Sequence, residues 1–259
     1  MSDSTSVGFM KIGVVGKGGV GKTTVSALLA RAFAERGLRV VAVDTDSNPN
    51  LGLSLGLSAA ATEAVPVLPR SIVVGRRGDV SVDELLKQFG RATPAGVTVL
   101  SALRVNEAGA GCTCGGHATV RSLLGEALDE HADVTIVDME AGIEHLSRSG
   151  GTLAHADILV MVMEASRKAV LTAARTQILA ADLGIRRCIG VANKATPDDL
   201  PVFETLCNEY EVPLVSILPT DQAVPAADRR GGSAARDEAP ALWVEIDRLA
   251  DLLLTIGDH

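Results

Sequence analysis

Short apolar runs alternate with longer helical patterns along most of this chain, and this alternation limits the fold more than any other feature. The runs are rich in Val, Ile, Leu and Met with little polar alternation, which is typical of strands buried on both faces. Strands that are joined through helices run parallel. The pattern predicts a first helix from Lys22 and strands at 10–15, 39–44, 97–100, 134–139, 157–163, 188–193 and 213–218.

We therefore expect one α/β domain with three layers, in which helices cover both faces of a mostly parallel central sheet. A length of 259 residues suits a single core of this kind. Residues 1–9 are polar and patternless and are interpreted as a disordered tail, so that the domain covers 10–257. The stretch 58–96 interrupts the alternation, and we interpret it as an insertion with a short helix near 82–88.

Charge and cysteine content argue against several classes of protein. The 24 basic and 32 acidic residues leave a net charge of -8, which repels phosphate backbones and anionic lipids and disfavours nucleic-acid and membrane partners. No apolar run reaches the roughly 20 residues of a spanning helix, and the N-terminus lacks the layout of a signal peptide. We expect a cytoplasmic protein, whose four cysteines do not form a disulfide framework.

A glycine-rich loop lies between the first predicted strand and the first predicted helix, where residues 16–24 read GKGGVGKTT. Backbone N–H groups and the helix dipole converge on an anion at such a position. Gly16, Gly18 and Gly21 satisfy the dinucleotide fingerprint, and Asp44 stands roughly 20 residues further on, where a ribose-binding acid is expected. On spacing alone, an enzyme that uses a nicotinamide cofactor remains open.

Lys22 and Thr23 favour a nucleoside triphosphate instead. They supply a cation for the β- and γ-phosphates and a hydroxyl for Mg²⁺, which a pyrophosphate-binding turn does not need. We therefore predict a P-loop that binds ATP or ADP with Mg²⁺, in which Thr23 is a metal ligand. The predicted contacts to the nucleotide come from Gly16, Gly18, Gly19, Val20, Gly21, Lys22, Thr23 and Thr24.

Lys17 places a second lysine at the tip of this loop. Because Lys22 already serves the loop's own phosphates, Lys17 suggests a cation aimed at a nucleotide in a neighbouring subunit, as an arginine finger is. The alternative is a solvated lysine. With this KGGxGKT signature the chain resembles the deviant Walker A ATPases, which include division-site, plasmid-partitioning and nitrogenase-iron-protein members. The resemblance implies a homodimer in which Lys17 works across the interface as a catalytic residue.

Acidic residues end or follow two of the predicted strands, at the sheet edge where open α/β sheets bind ligands. Asp44 ends the strand at 39–44 and Asp46 follows it, while Asp138 lies near the end of the strand at 134–139. The resemblance implies that Asp46 positions the attacking water and that Asp44 and Asp138 are outer-shell magnesium partners. It assigns Asn50 to the same metal and water network. It also implies that the backbone N–H of Gly142 contacts the γ-phosphate.

The base site is predicted from the chain that follows two later strands. Asn193 and Lys194 end a strand, but Ala195 and Thr196 follow without the aspartate that guanine recognition needs. Adenine is therefore the favoured base. The resemblance adds Pro219 and Asp221 as the far wall of the adenine site.

Cys112 and Cys114 form a close pair just before a predicted helix that begins near His117. Thiolates are soft metal ligands, and a helix N-terminus lowers thiol pKa values. Two sulfurs do not complete a metal shell, whereas a two-fold dimer provides four, so we predict one metal that bridges two subunits. The alternative is that Cys112 and Cys114 form a redox pair or bind an iron–sulfur cluster. His117 is a candidate auxiliary ligand. Cys188 and Cys207 are interpreted as packed or surface thiols.

Three features narrow the resemblance to the carbon monoxide dehydrogenase maturation ATPases, over residues 10–254. They are the cysteine pair, the segment DTDSNPNLG at 44–52 and the segment DMEAGIEHLSR at 138–148. This resemblance implies Ni²⁺ or Zn²⁺ at the inter-subunit cysteines and carbon monoxide dehydrogenase as the client. The leading hypothesis is a dimeric metallochaperone ATPase. A positioning or partitioning ATPase is the alternative. Such proteins carry a basic face or tail, whereas the last segment of this chain is amphipathic and acidic. We therefore expect this segment to pack on the core.

Overall fold

The computed structural model describes residues 9–69, 81–102, 120, 131–140 and 153–257. These residues form a central sheet whose strands lie in the order β3-β4-β2-β5-β1-β6-β7-β8. The strands are β1 (Met10–Val15), β2 (Val40–Asp44), β3 (Arg91–Ala92), β4 (Thr98–Ser101), β5 (Val134–Asp138), β6 (Ile158–Met163), β7 (Arg187–Ala195) and β8 (Leu214–Pro219).

Every described pairing in the sheet is parallel except that of β3 with β4. All residues of β1, β2, β5 and β6 are buried, which explains their unbroken apolar sequences. The predicted α/β fold with a mostly parallel sheet is confirmed. Strand β3 was not predicted, because two exposed residues are too short for a periodic signal.

Helices surround this sheet and cover both of its faces. Those of the described residues are α1 (Lys22–Glu35), α2 (Leu51–Ser54), α3 (Ala59–Glu63), α4 (Val82–Phe89), α5 (Arg167–Asp182), α6 (Leu200–Glu209), α7 (Ala223–Arg229) and α8 (Pro240–Gly257). Several begin at serine caps: the Ser81 hydroxyl and the Glu84 carboxylate form a capping box at α4, and Ser166 accepts from Ala169 N at α5.

The segment 58–96 contributes α3, α4 and the edge strand β3 in its described parts, while 70–80 lies outside the described residues. Helix α4 begins at Val82, directly after its N-cap Ser81, and agrees closely with the short helix predicted near 82–88. The segment thus extends one edge of the sheet.

The C-terminal segment forms α8, which packs against α1 and β8. It buries an apolar stripe that consists of Leu242, Trp243, Ile246, Leu249, Ala250 and Leu253. The prediction that this segment packs on the core is confirmed. Among the helices that the structure describes, none is both long enough and apolar enough to cross a membrane.

Candidate active site

The loop from Gly16 to Gly21 connects the end of β1 to the first turn of α1. Gly21 has a φ of 95°, and a Cβ atom there would lie 2.4 Å from Nδ2 of Asn193. At Gly16, with a φ of 150°, a Cβ atom would lie 2.4 Å from the carbonyl oxygen of Val162. The loop therefore requires glycine at both positions, for conformation and for space. The loop leads directly into the N-terminus of α1, which is suited to bind an anion.

Lys22 begins α1 and is buried. Its Nζ lies 3.4 Å from the carbonyl oxygen of Lys17, so the side chain folds back under the loop. Burial lowers the pKa of the Lys22 ammonium, while the nearby carboxylates of Asp138 and Asp46 oppose that shift. A poorly solvated cation inside an anion-binding loop is stabilised when phosphate arrives.

Asp138 ends β5, beside both β1 and β2, and is buried at 2% exposure. Its Oδ1 accepts a hydrogen bond of 3.0 Å from the hydroxyl of Ser26, and the hydroxyl of Thr23 also bonds to it. Burial raises the pKa of Asp138 to about 6, although these hydrogen bonds and the charge of Lys22 lower it. The carboxylate thus fixes the hydroxyl that the sequence predicts as a magnesium ligand.

Asp44 ends β2 and is paired in the sheet register with Asp138. Its Oδ2 accepts from the backbone N–H of Leu51 at 2.9 Å and its Oδ1 accepts from that of Asp46 at 3.0 Å. These bonds shape the turn after β2 and the start of α2. Burial, together with the charge of Asp138, raises the pKa of Asp44 to about 8.

The oxygen ligands gathered here fit Mg²⁺. Thr23 offers a hydroxyl that bonds to the buried carboxylate of Asp138, and Asp44, which is also buried, is paired with Asp138 in the sheet register. Mg²⁺ prefers oxygen ligands and takes few from the protein when nucleotide phosphates supply the rest. No group of three or more His, Cys, Asp or Glu side chains within the described residues makes a metal site by itself.

Asp46 and Asn50 lie in the turn after β2. Asp46 Oδ1 accepts from the backbone N–H of Asn48 at 2.8 Å, and Asn50 donates from Nδ2 to the carbonyl of Asn48 at the same distance. The Asp46 carboxylate lies near enough to Lys22 to act on its pKa. The predicted water-positioning residue is therefore held by the backbone of its own turn, next to the phosphate lysine.

Lys17 lies at the open side of the loop, with its side chain 43% exposed. Its Nζ is 4.0 Å from Oε1 of Glu164, which follows β6. An ion pair this exposed contributes little to stability. The ammonium is therefore accessible from outside the subunit.

The predicted adenine-site residues meet at the end of β7 and β8, where Ala195 pairs with Pro219. Asp221 Oδ1 accepts from Ala223 N at 2.8 Å, just before α7. The side-chain donors of Asn193 and Lys194, however, both reach the phosphate loop. The structure therefore brings all these residues to the edge of the sheet that carries the phosphate loop, and two of them contact the loop.

Four positions of the predicted site fall outside the described residues: Cys112, Cys114, His117 and Gly142. Of the other two cysteines, Cys207 is buried and Cys188 is half-buried. Burial raises the pKa of the Cys188 thiol to about 11. This agrees with the interpretation of both as packed or surface thiols.

Sequence reasoning missed several polar residues that connect the site. Ser26 lies one helical turn after Thr23, so its spacing on α1 was a usable signal. Thr45 donates to the carbonyl of Asp138 from both its N–H and its hydroxyl, at 3.0 and 2.9 Å. Ser47 donates to Oε1 of Glu140 at 3.0 Å. These bonds join the chain after β2 to the chain after β5, and only strand adjacency reveals them.

Known proteins resemble this chain in sequence over most of its length. Residues 12–234 match the family model of the CobQ/CobB/MinD/ParA nucleotide binding domain. The chain is 39% identical to the carbon monoxide dehydrogenase accessory protein CooC of Rhodospirillum rubrum, over 92% of this chain and 96% of that protein. It is 32% identical to an uncharacterised ATP-binding protein of Methanocaldococcus jannaschii, over 91% of this chain and 95% of that protein.

Solved structures show the same architecture. The cell division ATPase MinD of Pyrococcus furiosus has a TM-score of 0.70 at 22% identity and covers 94% of this chain and 99% of its own. Cobyrinic acid a,c-diamide synthase of Mycobacterium smegmatis, with bound ADP and magnesium, has a TM-score of 0.68 at 22% identity and covers 95% of this chain and 94% of its own. Loop, fold and sequence agree: the chain is an ATPase that belongs to the CobQ/CobB/MinD/ParA family of P-loop nucleotide-binding proteins.

Proposed function

We propose that this protein is a dimeric metallochaperone ATPase that assists nickel insertion into carbon monoxide dehydrogenase or a similar metalloenzyme. The observation that carries the proposal is the 39% identity to a carbon monoxide dehydrogenase accessory protein over nearly the whole length of both chains. The charge of -8 favours a protein client in the cytoplasm over a nucleic acid or a membrane surface.

Hydrolysis is assigned to residues around the phosphate loop. The loop amides and Lys22 bind the β- and γ-phosphates, and Thr23 is the side chain that holds Mg²⁺, with Asp44 and Asp138 behind it. The metal would supply electrostatic stabilisation of the phosphate oxygens. Asp46, whose carboxylate accepts a hydrogen bond from the backbone of its own turn, orients the attacking water.

Dimer formation completes the site in this proposal. Lys17 is half-exposed, and its nearest described carboxylate lies 4.0 Å away, so the ammonium can leave Glu164 for the phosphates of a second subunit. Closure of the dimer brings Cys112 and Cys114 of both subunits together. These four thiolates hold Ni²⁺ or Zn²⁺ as cargo, and hydrolysis reopens the pair and releases it.

Native mass spectrometry tests the proposal with Mg²⁺, a non-hydrolysable ATP analogue and limiting Ni²⁺. The double variant Cys112→Ser/Cys114→Ser removes the predicted ligands. Cys188→Ser/Cys207→Ser is the matched control, because it deletes two thiols that are packed in the fold. We expect a dimer with two nucleotides and one metal for the native chain and the control, and no metal for the first variant.

Two other results would contradict the proposal. Metal retained by Cys112→Ser/Cys114→Ser would place the metal site elsewhere. A nucleotide-bound dimer that never holds metal would favour the positioning or partitioning ATPase, and that alternative predicts ATP-dependent retention on liposomes or DNA.

A further inference from the structure

Strand β7 ends irregularly at the two residues that face the phosphate loop. Its register with β8 shifts between Ala192 and Ala195. Lys194 has a φ of 56°, in the left-handed region that side chains other than glycine rarely adopt. An irregular strand end beside a functional loop commonly redirects side chains.

The two redirected side chains donate hydrogen bonds to consecutive carbonyls of the loop. Nδ2 of Asn193 donates to the carbonyl of Val20 at 2.8 Å, and Nζ of Lys194 donates to the carbonyl of Gly19 at 2.6 Å. In a loop whose N–H groups point inward at an anion, the carbonyls point outward and need donors of their own. Asn193 and Lys194 supply these donors.

We propose that Lys194 is a positioning residue for phosphate binding, whose ammonium holds the Gly19 carbonyl outward so that the loop amides face the phosphates. The charge makes this bond stronger than one from a neutral donor. Asn193 is buried beneath Gly21 and supports the next carbonyl from the same strand end. The left-handed backbone of Lys194 allows both side chains to reach the loop.

This role differs from recognition of the base, and base-free ligands separate the two. Binding is measured in the full-length protein with Mg²⁺, by displacement of a fluorescent ADP analogue with ATP and with inorganic tripolyphosphate. For Lys194→Ala we expect about tenfold weaker binding of both competitors, because a charged hydrogen bond that shapes the loop is lost. Lys168→Ala, which removes an exposed lysine from α5, is the control and should bind both as the native chain does.

Two further variants separate the ammonium from the backbone. Lys194→Gly accepts the left-handed conformation without strain but lacks the amine, and it should bind as weakly as Lys194→Ala. Lys194→Arg keeps a charged donor and should recover part of the affinity for both ligands. Thermal melting checks that each variant is folded.

Three results would overturn the inference. Weaker binding of ATP with unchanged binding of tripolyphosphate would make Lys194 a base contact. Native affinity in Lys194→Gly would assign the effect to backbone strain. Equal affinity of Lys194→Ala and the native chain for both ligands would leave the bond without a role in binding.

Discussion

The hydroxyl of Ser26 donates a hydrogen bond of 3.0 Å to Oδ1 of Asp138, so the first helix after the phosphate loop is tied to the end of the central strand β5. Both residues are buried, at 0% and 2% exposure. A buried carboxylate that loses a donor is costly, because water cannot replace it. This bond therefore connects the stability of the fold to the arrangement of the site.

We expect Ser26→Ala to lower the free energy of unfolding by about 1–3 kcal/mol, since it leaves Asp138 with one donor fewer. Urea denaturation followed by circular dichroism measures the change. Ser216→Ala is the matched control, because the buried hydroxyl of Ser216 has no hydrogen-bond partner among the described residues. Its removal should be neutral or stabilising. Equal losses in the two variants would contradict the importance of the Ser26 bond.

Lys17→Ala should leave nucleotide affinity nearly unchanged and abolish ATP-dependent dimerisation. A cation supplied across an interface raises phosphoryl-transfer rates by about 10³-fold or more, so we expect turnover to fall on that order. Steady-state hydrolysis and light scattering with an ATP analogue measure the two effects. Glu164→Gln removes the charge of the carboxylate that pairs with Lys17 inside the subunit and should retain both activities. Intact dimerisation and turnover in Lys17→Ala would show that Lys17 is a solvated lysine with no role across the interface.

Gly21→Ala should weaken ATP binding strongly, because the new Cβ atom would meet Nδ2 of Asn193 at 2.4 Å in a loop with a φ of 95°. Gly37→Ala is the control for the backbone alone: its φ is 83°, nothing lies within 4 Å of the added carbon, and it lies outside the loop. We expect that control to lose about 1 kcal/mol of stability and no ATP affinity. Isothermal titration calorimetry measures both. Comparable affinity losses in the two variants would mean that the effect comes from a general loss of stability and not from the lack of space at Gly21.

Ion pairs join Asp247 of α8 to Arg236, which precedes this helix, and to Arg36, which follows α1, and they predict a dependence of stability on pH. Hydrogen bonds from Arg236, at 2.6 and 3.1 Å, hold the pKa of Asp247 below its usual value, with Arg36 adding to the effect. A depressed pKa in the folded state means that the contribution is complete above the unfolded pKa of about 4 and is lost as pH falls through the folded pKa.

The variant Arg236→Gln tests this sign. Because the network is partly exposed, the stability deficit of this variant relative to the native chain should be only about 1 kcal/mol at pH 7. The deficit should shrink between pH 5 and pH 3, because Asp247 becomes protonated in that range. Urea denaturation across that range measures the deficit. A deficit that is the same at both ends of the range would assign the loss to the stacking of Arg236 on Trp243 instead.

The amino-acid sequence alone determined the class of fold and the identity of the phosphate loop. Both depend on local information: apolar runs such as those of β1 and β6 are continuous because the strands are buried on both faces, and the glycines of the loop are needed by its own backbone. The motif at Lys22 and Thr23 lies within one short segment for the same reason. The direction of the strands followed from the helices between them.

Only the tertiary structure decided which distant residues touch the loop. Asn193 and Lys194 are more than 170 residues from the carbonyls that they contact, and their contacts depend on a local shift in strand register that has no periodic signal. Ser26 and Asp138 meet because β1 and β5 are neighbours in the sheet, which the order of strands along the chain does not reveal. Local sequence specifies elements and motifs, whereas contacts across the sheet arise from the order in which strands pack.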